Sequence, residues 1–473
     1  MTNYSLENLE QFHGFQIDSY LLALHGWQRG LKLKFHTRRL GDVYFANDTI
    51  PNEFPGVVFT LSDGKKSHTF YRTRGDLTTD AAIDLCADKF AFKRHLQSLD
   101  INTPDGQMFH IDKKNDMLNF AETIGYPVVL KPATGSMGRG VTASIKDKNE
   151  LIEAIESLRV NFAEYKYVIL ETYFEGADYR IYIVGDKMTA AYMRESARVT
   201  GDGVSTVQAL IDKANELRKR NPNTRNKLIT VDQDLLNHLE RQNLKLDDIP
   251  ANNMNVTLRS IPNISLGGNP KDVTSAIPLN IEKAVINAVK SVPGLPNAGV
   301  DVLINGGGDY TIIEMNSVAV ITSHVFPISG NGIDVPAHII DYYFPETIGK
   351  TNTSMTFNYT QLLDNIASGI YEHIEVKSIP QAFEGSIQLS FSSEVRWINP
   401  KSVQAMLQMY DYHGNIANEG NNYVLTVTNE GNINADELIE RLKQRFLVRD
   451  IDVKPLETTI THMGIHIKKD VPN

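Results

Sequence analysis

The sequence predicts an α+β protein of several units, and three observations predict it. Between about residues 105 and 345, strand-length runs alternate with helix-length apolar stripes. A strand-rich stretch stands before that region. After it comes a polar run at 347–355 (Thr347, Gly349, Thr351, Asn352, Thr353, Ser354), and then a final block of mixed strands and helices. The chain has 473 residues, which at about 150 per domain leaves room for roughly three units, each able to bury a core. The expected boundaries are 1–85, 86–346 and 356–473.

In the first unit, Leu31–Lys34, Val43–Ala46 and Val57–Leu61 read as short strands, with Ser62-Asp63-Gly64 as a turn. Residues 86–103 read as a helix with Phe90, His95 and Leu96 on one face, closed by Thr103-Pro104. Tyr126–Leu130 is a strand. Asp147 opens a helix with Glu150 three residues on, a capping-box pattern, and Leu151, Ile152, Ile155 and Leu158 form its stripe. Tyr167–Tyr173 and Tyr179–Val184 are further strands. In the last unit Ile387–Phe391, Tyr423–Val427 and Ile451–Val453 read as strands, and Lys401–Met409 and Ala435–Phe446 as helices. That order predicts a small ferredoxin-like module.

Composition excludes several classes. Hydrophobic residues at 41% and charged residues at 22% rule out a disordered or fibrous chain. One cysteine, Cys86, can make neither an internal disulfide nor a multi-thiolate metal site. A net charge of −10 argues against non-specific nucleic-acid binding. No run reaches the ~18 apolar residues of a membrane span, and MTNYSLENLEQFHG does not read as a signal peptide. A soluble, cytoplasmic protein without nucleic-acid or membrane partners is expected, with self-association left open.

Chemistry concentrates in three places. If Gly299–Asn316 is a hairpin turning at Gly307-Gly308, Asp301 faces Glu314. Val300, Val302, Ile304, Ile313 and Met315 then share one face, and Asp301, Glu314 and Asn316 the other. Two opposed carboxylates repel unless a cation lies between them, and oxygen ligands of this kind suit Mg²⁺ completed by substrate phosphates. A solvated hairpin face is the plain alternative. Next, Lys131-Pro132-Ala133-Thr134-Gly135-Ser136-Met137-Gly138-Arg139-Gly140 follows a strand and could cradle an anion. It is neither a Walker A motif nor a dinucleotide fingerprint, and an ordinary turn is its alternative. Finally, Glu171–Arg180 could be a hinge offering backbone groups to a planar base and an acid to ribose, or simply a surface loop.

Together with Lys89 in Ala87-Asp88-Lys89, these motifs resemble, in order, those of the ATP-grasp ligases. The resemblance runs from about residue 80 to 345. It is nearest to the ATP-grasp part of cyanophycin synthetases and bifunctional glutathione synthetases, through Arg198-Val199-Thr200-Gly201-Asp202-Gly203, Gln242–Asp247 and Leu258–Gly268. It implies an ATP-grasp fold, in which two α+β subdomains grip ATP. Lys89 and Lys131 would hold the phosphates under the loop of Gly135, Ser136, Met137 and Gly138. Glu171 would accept from the adenine amino group, the backbone of Thr172 and Phe174 would read the ring, and Asp178 would bind ribose. Asp301, Glu314 and Asn316 would hold two Mg²⁺ ions, with Mn²⁺ as a substitute.

The implied reaction is ATP-dependent joining of a carboxylate, from an amino acid or peptide, to an amine through an acyl phosphate, releasing ADP and phosphate. Arg259, Arg198 and the Gly267-Gly268 backbone are the candidates for stabilising negative charge in it, and Ser265 and His324 for contacting substrate. The alternatives are a non-catalytic ATP-binding scaffold and a ligase with a thiol or hydroxyl acceptor. Two departures stand out. Where the related enzymes carry Pro-Gly after Glu314-Met315-Asn316-Ser317, this chain has Val318-Ala319. It also has no G-x-x-x-x-G-K-[ST] motif for the second ligase step of cyanophycin synthetases, nor room in residues 1–85 for a glutamate–cysteine ligase domain.

Overall fold

A computed structural model describes residues 9, 12, 14–36, 55–135, 138–350, 355–379, 383–393, 398–429, 431–456, 460 and 462–468. The expected strand Val43–Ala46 and residues 351–354 of the polar run lie outside these, as do Ser136 and Met137.

Residues 105–195 and 269–316 build the two sheets that frame the site. The first has four antiparallel strands in the order Gly106–His110, Tyr167–Thr172, Val128–Pro132, Thr142–Ile145. Its core is closed by helices Lys114–Ile124 and Lys148–Asn161. The second has five, in the order Asn269–Asp272, Lys187–Glu195, Ala177–Val184, Asn297–Ile304, Tyr310–Asn316. Ile181, Ile183, Val300, Val302 and Met315 pack there against Phe92 and Leu96 of helix Lys89–Gln97 and Ile281 and Val285 of helix Leu279–Lys290. Between two strands of this sheet, residues 196–268 form a satellite with its own core, two short strands with helices Val207–Arg220 and Gln233–Arg241.

The expected helix over 86–103 is two helices, Asp80–Ala87 and Lys89–Gln97, broken at Asp88. Asp88 is extended, and its carboxylate accepts the N–H groups of Phe90 and Ala91, each at 2.9 Å, so it starts a new helix. The buried face is Phe92, Lys93 and Leu96, not Phe90, His95 and Leu96. At the 148–161 helix the capping carboxylate of Asp147 accepts from Asn149 and Glu150 as expected, while Glu150 reaches back to the N–H of Lys146 at 2.7 Å.

Residues 1–85 do more than supply strands. Phe15–Gln28 is a helix with Gln16 to Gln28 all buried. A helix buried all round, with Asp18, His25 and Gln28 among its buried residues, has no apolar stripe to betray it. It covers a five-stranded sheet whose edge strand, His373–Val376, comes from beyond residue 356 and pairs with Lys32–His36. Leu21, Leu24 and Trp27 share one core with Tyr182, Ile339, Tyr343 and Phe357, so the N-terminal unit is built into its neighbours.

The C-terminal block runs Ser386–Ser393, Pro400–Met409, His413–Glu419, Asn422–Thr428, Ala435–Arg445, Val448–Leu456, the β-α-β-β-α-β order of a ferredoxin-like module. Strand Ile465–Ile467 adds a parallel edge beside His413–Glu419.

Candidate active site

The hairpin register is the one expected at its acidic end, with Gly299 opposite Asn316 and Asp301 opposite Glu314. Beyond that pair a bulge shifts the ladder, so Val302 faces Ile312. Ile312, fully buried, therefore takes the core position expected for Ile313.

Asp301 meets arginines rather than a second carboxylate. The neighbouring strand places Arg180 opposite it, and the next places Arg194 opposite Asp178. Arg180 donates from Nε and, at 2.8 Å, from Nη2 to the two oxygens of Asp301. Arg194 donates to Asp301 at 2.9 Å and to Asp178 at 2.5 Å. Burial alone would raise the pKa of Asp301, but the two guanidinium charges outweigh it and hold the carboxyl below the usual carboxylate range. Asp178 is pushed up to about 6 by burial, against the pull of Arg194. Neither arginine stood among the expected site residues. Their signal is the alternation Asp178-Tyr179-Arg180, which puts acid and base on one face.

Glu314 is half-buried. Its Oε1 accepts from Asn316 Nδ2 at 3.2 Å, and its Oε2 lies 3.5 Å from Lys89 Nζ. Lys89 Nζ also donates to the carbonyl of Gly135 at 2.9 Å. One ammonium thus joins the acidic hairpin to the glycine loop, where Gly135, Gly138 and Gly140 have φ of 121°, 73° and 72°.

Lys131 and Glu171 sit behind this contact. Lys131 Nζ donates to Glu171 Oε1 at 2.8 Å, and Lys93 donates to Glu171 Oε2. All three side chains are buried. Burial and the charge of Lys89 push Lys131 down to about 8, opposed by Glu314. Burial and Lys131 push Lys93 well down too. Each oxygen of Glu171 therefore accepts from one lysine, so its carboxylate ties Lys93 to Lys131. The N–H of Thr172 is likewise engaged, donating to Asp105 O at 2.8 Å. Lys93 was missed, although Lys89 and Lys93 are spaced i, i+4 on one helix. Past Phe174, Gly176 is required by close approach, since a Cβ there would come within 2.9 Å of the Ile304 carbonyl. A hollow of about 800 Å³ opens along Tyr173, Glu175, Tyr179, Ile304 and Asn305.

The remaining candidates are engaged elsewhere. Arg259, buried, donates to Asp232 at 2.6 Å, Asp234 at 3.0 Å and Thr230 O at 3.1 Å, all within the satellite. Arg198 pairs with Glu195 at 2.8 Å. The amides of Gly267 and Gly268 donate to Ile264 O and Asn263 O, which close a tight turn around Ser265, so they present no free pair of N–H groups. His324 is buried between the rings of Tyr182 and Tyr192, with centroids at 5.6 and 4.7 Å. Burial and the two arginines drive its pKa well down, so a neutral ring, not a cation for a substrate carboxylate, stands there. Replacing Arg259 by Met, which keeps the apolar stem, is expected to lower the thermal midpoint, since about 1–3 kcal/mol of charged hydrogen bonding is lost. ATP turnover of the folded chain should stay within about twofold. A calorimetric melt beside a phosphate-release assay checks both.

A model of the carbamoyl-phosphate synthase L chain ATP binding domain matches residues 88–191. Cyanophycin synthetase from a Synechocystis strain is 33% identical over 301 residues, which is 60% of this chain and 34% of that protein. The glutathione biosynthesis bifunctional protein GshAB of Mannheimia succiniciproducens is 28% identical over 297 residues, 59% of this chain and 39% of that protein. The chain thus spans between a third and two fifths of the length of these relatives. The crystal structure of a bifunctional glutathione synthetase from Pasteurella multocida superposes with a TM-score of 0.49 at 25% identity, covering 61% of this chain and 40% of that one.

Proposed function

We propose that the ATP-grasp domain this chain carries works as an ATP-dependent ligase, joining a carboxylate to an amine through an acyl phosphate and releasing ADP and phosphate. One observation carries the reading. The Lys89 ammonium contacts both the glycine loop and Glu314, so the groups suited to a triphosphate and to its metal converge on one place. The named relatives, a cyanophycin synthetase and a glutathione biosynthesis protein, support an amino acid or peptide as the carboxylate substrate.

The donor set fits Mg²⁺. Glu314 and Asn316 offer oxygens side by side, while Asp301, across the ladder, is held by Arg180 and Arg194. Among the described residues no three His, Cys, Asp or Glu side chains form a cage. The protein would supply only part of the shell, as is usual for Mg²⁺ completed by phosphates. When bound, the ion would neutralise phosphate charge and align the transferring group. Lys131, on the four-stranded sheet, and Lys89, on the helix packed against the hairpin's own sheet, add positive charge. Arg180 and Arg194, already held at Asp301, take the place expected for Arg259 and Arg198 in stabilising negative charge as the acyl phosphate forms and is attacked. No side-chain nucleophile is needed.

Phosphate release from Mg-ATP with mixed amino acids, followed by mass spectrometry of the product, tests the reading. Tight ATP binding with no condensed product from any mixture would favour the scaffold alternative. The pH dependence has a definite sign. ATP favours the charged form of Lys131, and the free amine titrates at about 8. KM for ATP should be flat below that and rise by up to about tenfold per pH unit above it. Lys131→Met should weaken binding and flatten the profile.

No helix among the described residues is long and apolar enough to cross a membrane. We read the chain as acting on small molecules or peptides in the cytoplasm.

A further inference from the structure

We infer that Asp18, Arg72 and Thr73 of the N-terminal unit are positioning residues for this reaction, holding the segment that leaves Asn316 as one wall of the substrate site. This rests on the ligase reading above. A carboxylate that takes the γ-phosphate must reach it beside Glu314 and Asn316, so residues 317–321, next along the chain, border the place where it reacts.

That segment does not hold itself. Val318 and Ala319 have neither the fixed φ of proline nor the left-handed freedom of glycine. The helix after it, Thr322–Val325, is four residues long and has no side-chain cap from its own Ile321. Its backbone groups are satisfied from the N-terminal unit instead. Thr73 Oγ1 donates to the carbonyl of Ala319 at 2.9 Å. Asp18 Oδ1 accepts the N–H groups of Ile321 at 3.0 Å and Thr322 at 3.2 Å. Arg72 Nη2 donates to the other oxygen of Asp18 at 3.0 Å. Val318 packs against Val57, Val58 and Tyr71.

Asp18 and Thr73 are both 0% exposed. A carboxylate so deep is costly unless every oxygen is matched, and here two are matched by the loop and by Arg72. On its inner side the segment packs on Gly299, which lies beside Arg180. A Cβ added at Gly299 would lie 2.5 Å from the Cβ of Ala319 and 3.0 Å from Cδ of Arg180. The path from Asp18 and Thr73 to the Arg180–Asp301 pair therefore runs through Ala319 and then Gly299, on the strand that carries Asp301. Thr73 is fixed in turn, because Asn297 Nδ2, on the strand that carries Asp301, donates to its carbonyl at 3.1 Å.

The test uses the whole chain and three variants, Thr73→Val, Thr73→Ser and Asp18→Asn. Amide exchange by mass spectrometry reads the segment directly. Steady-state phosphate release reads KM for Mg-ATP and for the amino-acid mixture that supports turnover. Thr73→Val should raise exchange over 317–326 by about tenfold while the 297–304 strand keeps its protection. KM for the amino acids should rise at least about fivefold with KM for ATP within about twofold, and Thr73→Ser should restore both. Asp18→Asn should act in the same direction and more strongly. Should it fail to fold, the threonine pair still decides. A merely structural role would lower the melting temperature and leave the ratio of the two KM values unchanged, and that result would overturn the proposal. So would wild-type exchange in Thr73→Val. A wild-type chain that releases no phosphate with any mixture would instead overturn the ligase reading, and this role with it.

Discussion

Asp301→Asn is expected to lose turnover and a large part of the fold's stability together. The carboxylate takes hydrogen bonds from Arg180 and Arg194 and is 8% exposed. Asn keeps the shape and one acceptor oxygen but cannot balance two buried guanidiniums. Removing one partner of a buried ion pair costs about 3–5 kcal/mol, because the charge left behind stays desolvated. For a domain of this size that is a fall of roughly 6–20 °C in melting temperature. The pH dependence carries its own signature. The folded-state pKa of Asp301 is depressed, so its stabilisation is present above the ordinary carboxylate value and is lost as pH falls through the folded one. The gap between wild type and variant should therefore narrow in strong acid. Asp178 should respond too, since the neighbouring negative charge that helps raise its pKa to about 6 is gone. Equal melting of the two proteins at neutral pH would show that the arginines are held by something else.

What the sequence made legible was local. The acidic end of the 299–316 hairpin follows from two-residue alternation, which places Asp301 against Glu314 without knowledge of any other strand. The bulge beyond it adds one residue without changing the alternation's character, so Ile313 was expected where Ile312 stands. Lys131 was legible because it adjoins a recognisable turn, and Lys89 through the resemblance of Ala87-Asp88-Lys89 to an ATP-grasp motif. Their partners were not. Lys93 and Glu171 are 78 residues apart, and Arg180 and Asp301 are 121 apart. Whether a buried charge meets a ligand or another side chain depends on pairings that no local pattern records. Arg259 failed for the same reason in reverse. Its placement in a glycine-rich, motif-like stretch suggested chemistry, yet Asp232 and Asp234, over 20 residues earlier, hold it inside the satellite. The N-terminal unit was the least legible. Its helix is buried on every side, polar residues included, and its sheet takes an edge strand from some 340 residues later in the chain.

Glu314→Gln should separate activity from stability, and the contrast with Asp301 is what makes it informative. Both residues lie on the same rung of the hairpin and both carry one negative charge. Among the described residues no guanidinium pairs with Glu314. Its neighbours are Asn316, which can hydrogen-bond an amide as well as a carboxylate, and Lys89 at 3.5 Å, which also holds the Gly135 carbonyl. Its side chain is 28% exposed, so that ion pair is partly screened and worth at most about 1 kcal/mol. The variant should therefore melt within a few degrees of wild type. Turnover is another matter. Gln offers a metal an uncharged oxygen where phosphoryl transfer needs a carboxylate, and loss of one charge-stabilising partner costs roughly 10²–10³ in kcat. Raising Mg²⁺ should recover part of the loss if the defect is weakened metal affinity. Isothermal titration of Mg-ATP into the folded variant, beside phosphate release at about 0.1 and about 10 times the Mg²⁺ concentration that half-saturates the wild type, measures both. Wild-type turnover in Glu314→Gln would remove the hairpin from the proposed metal site, and with it the alignment on which the proposed ligation depends.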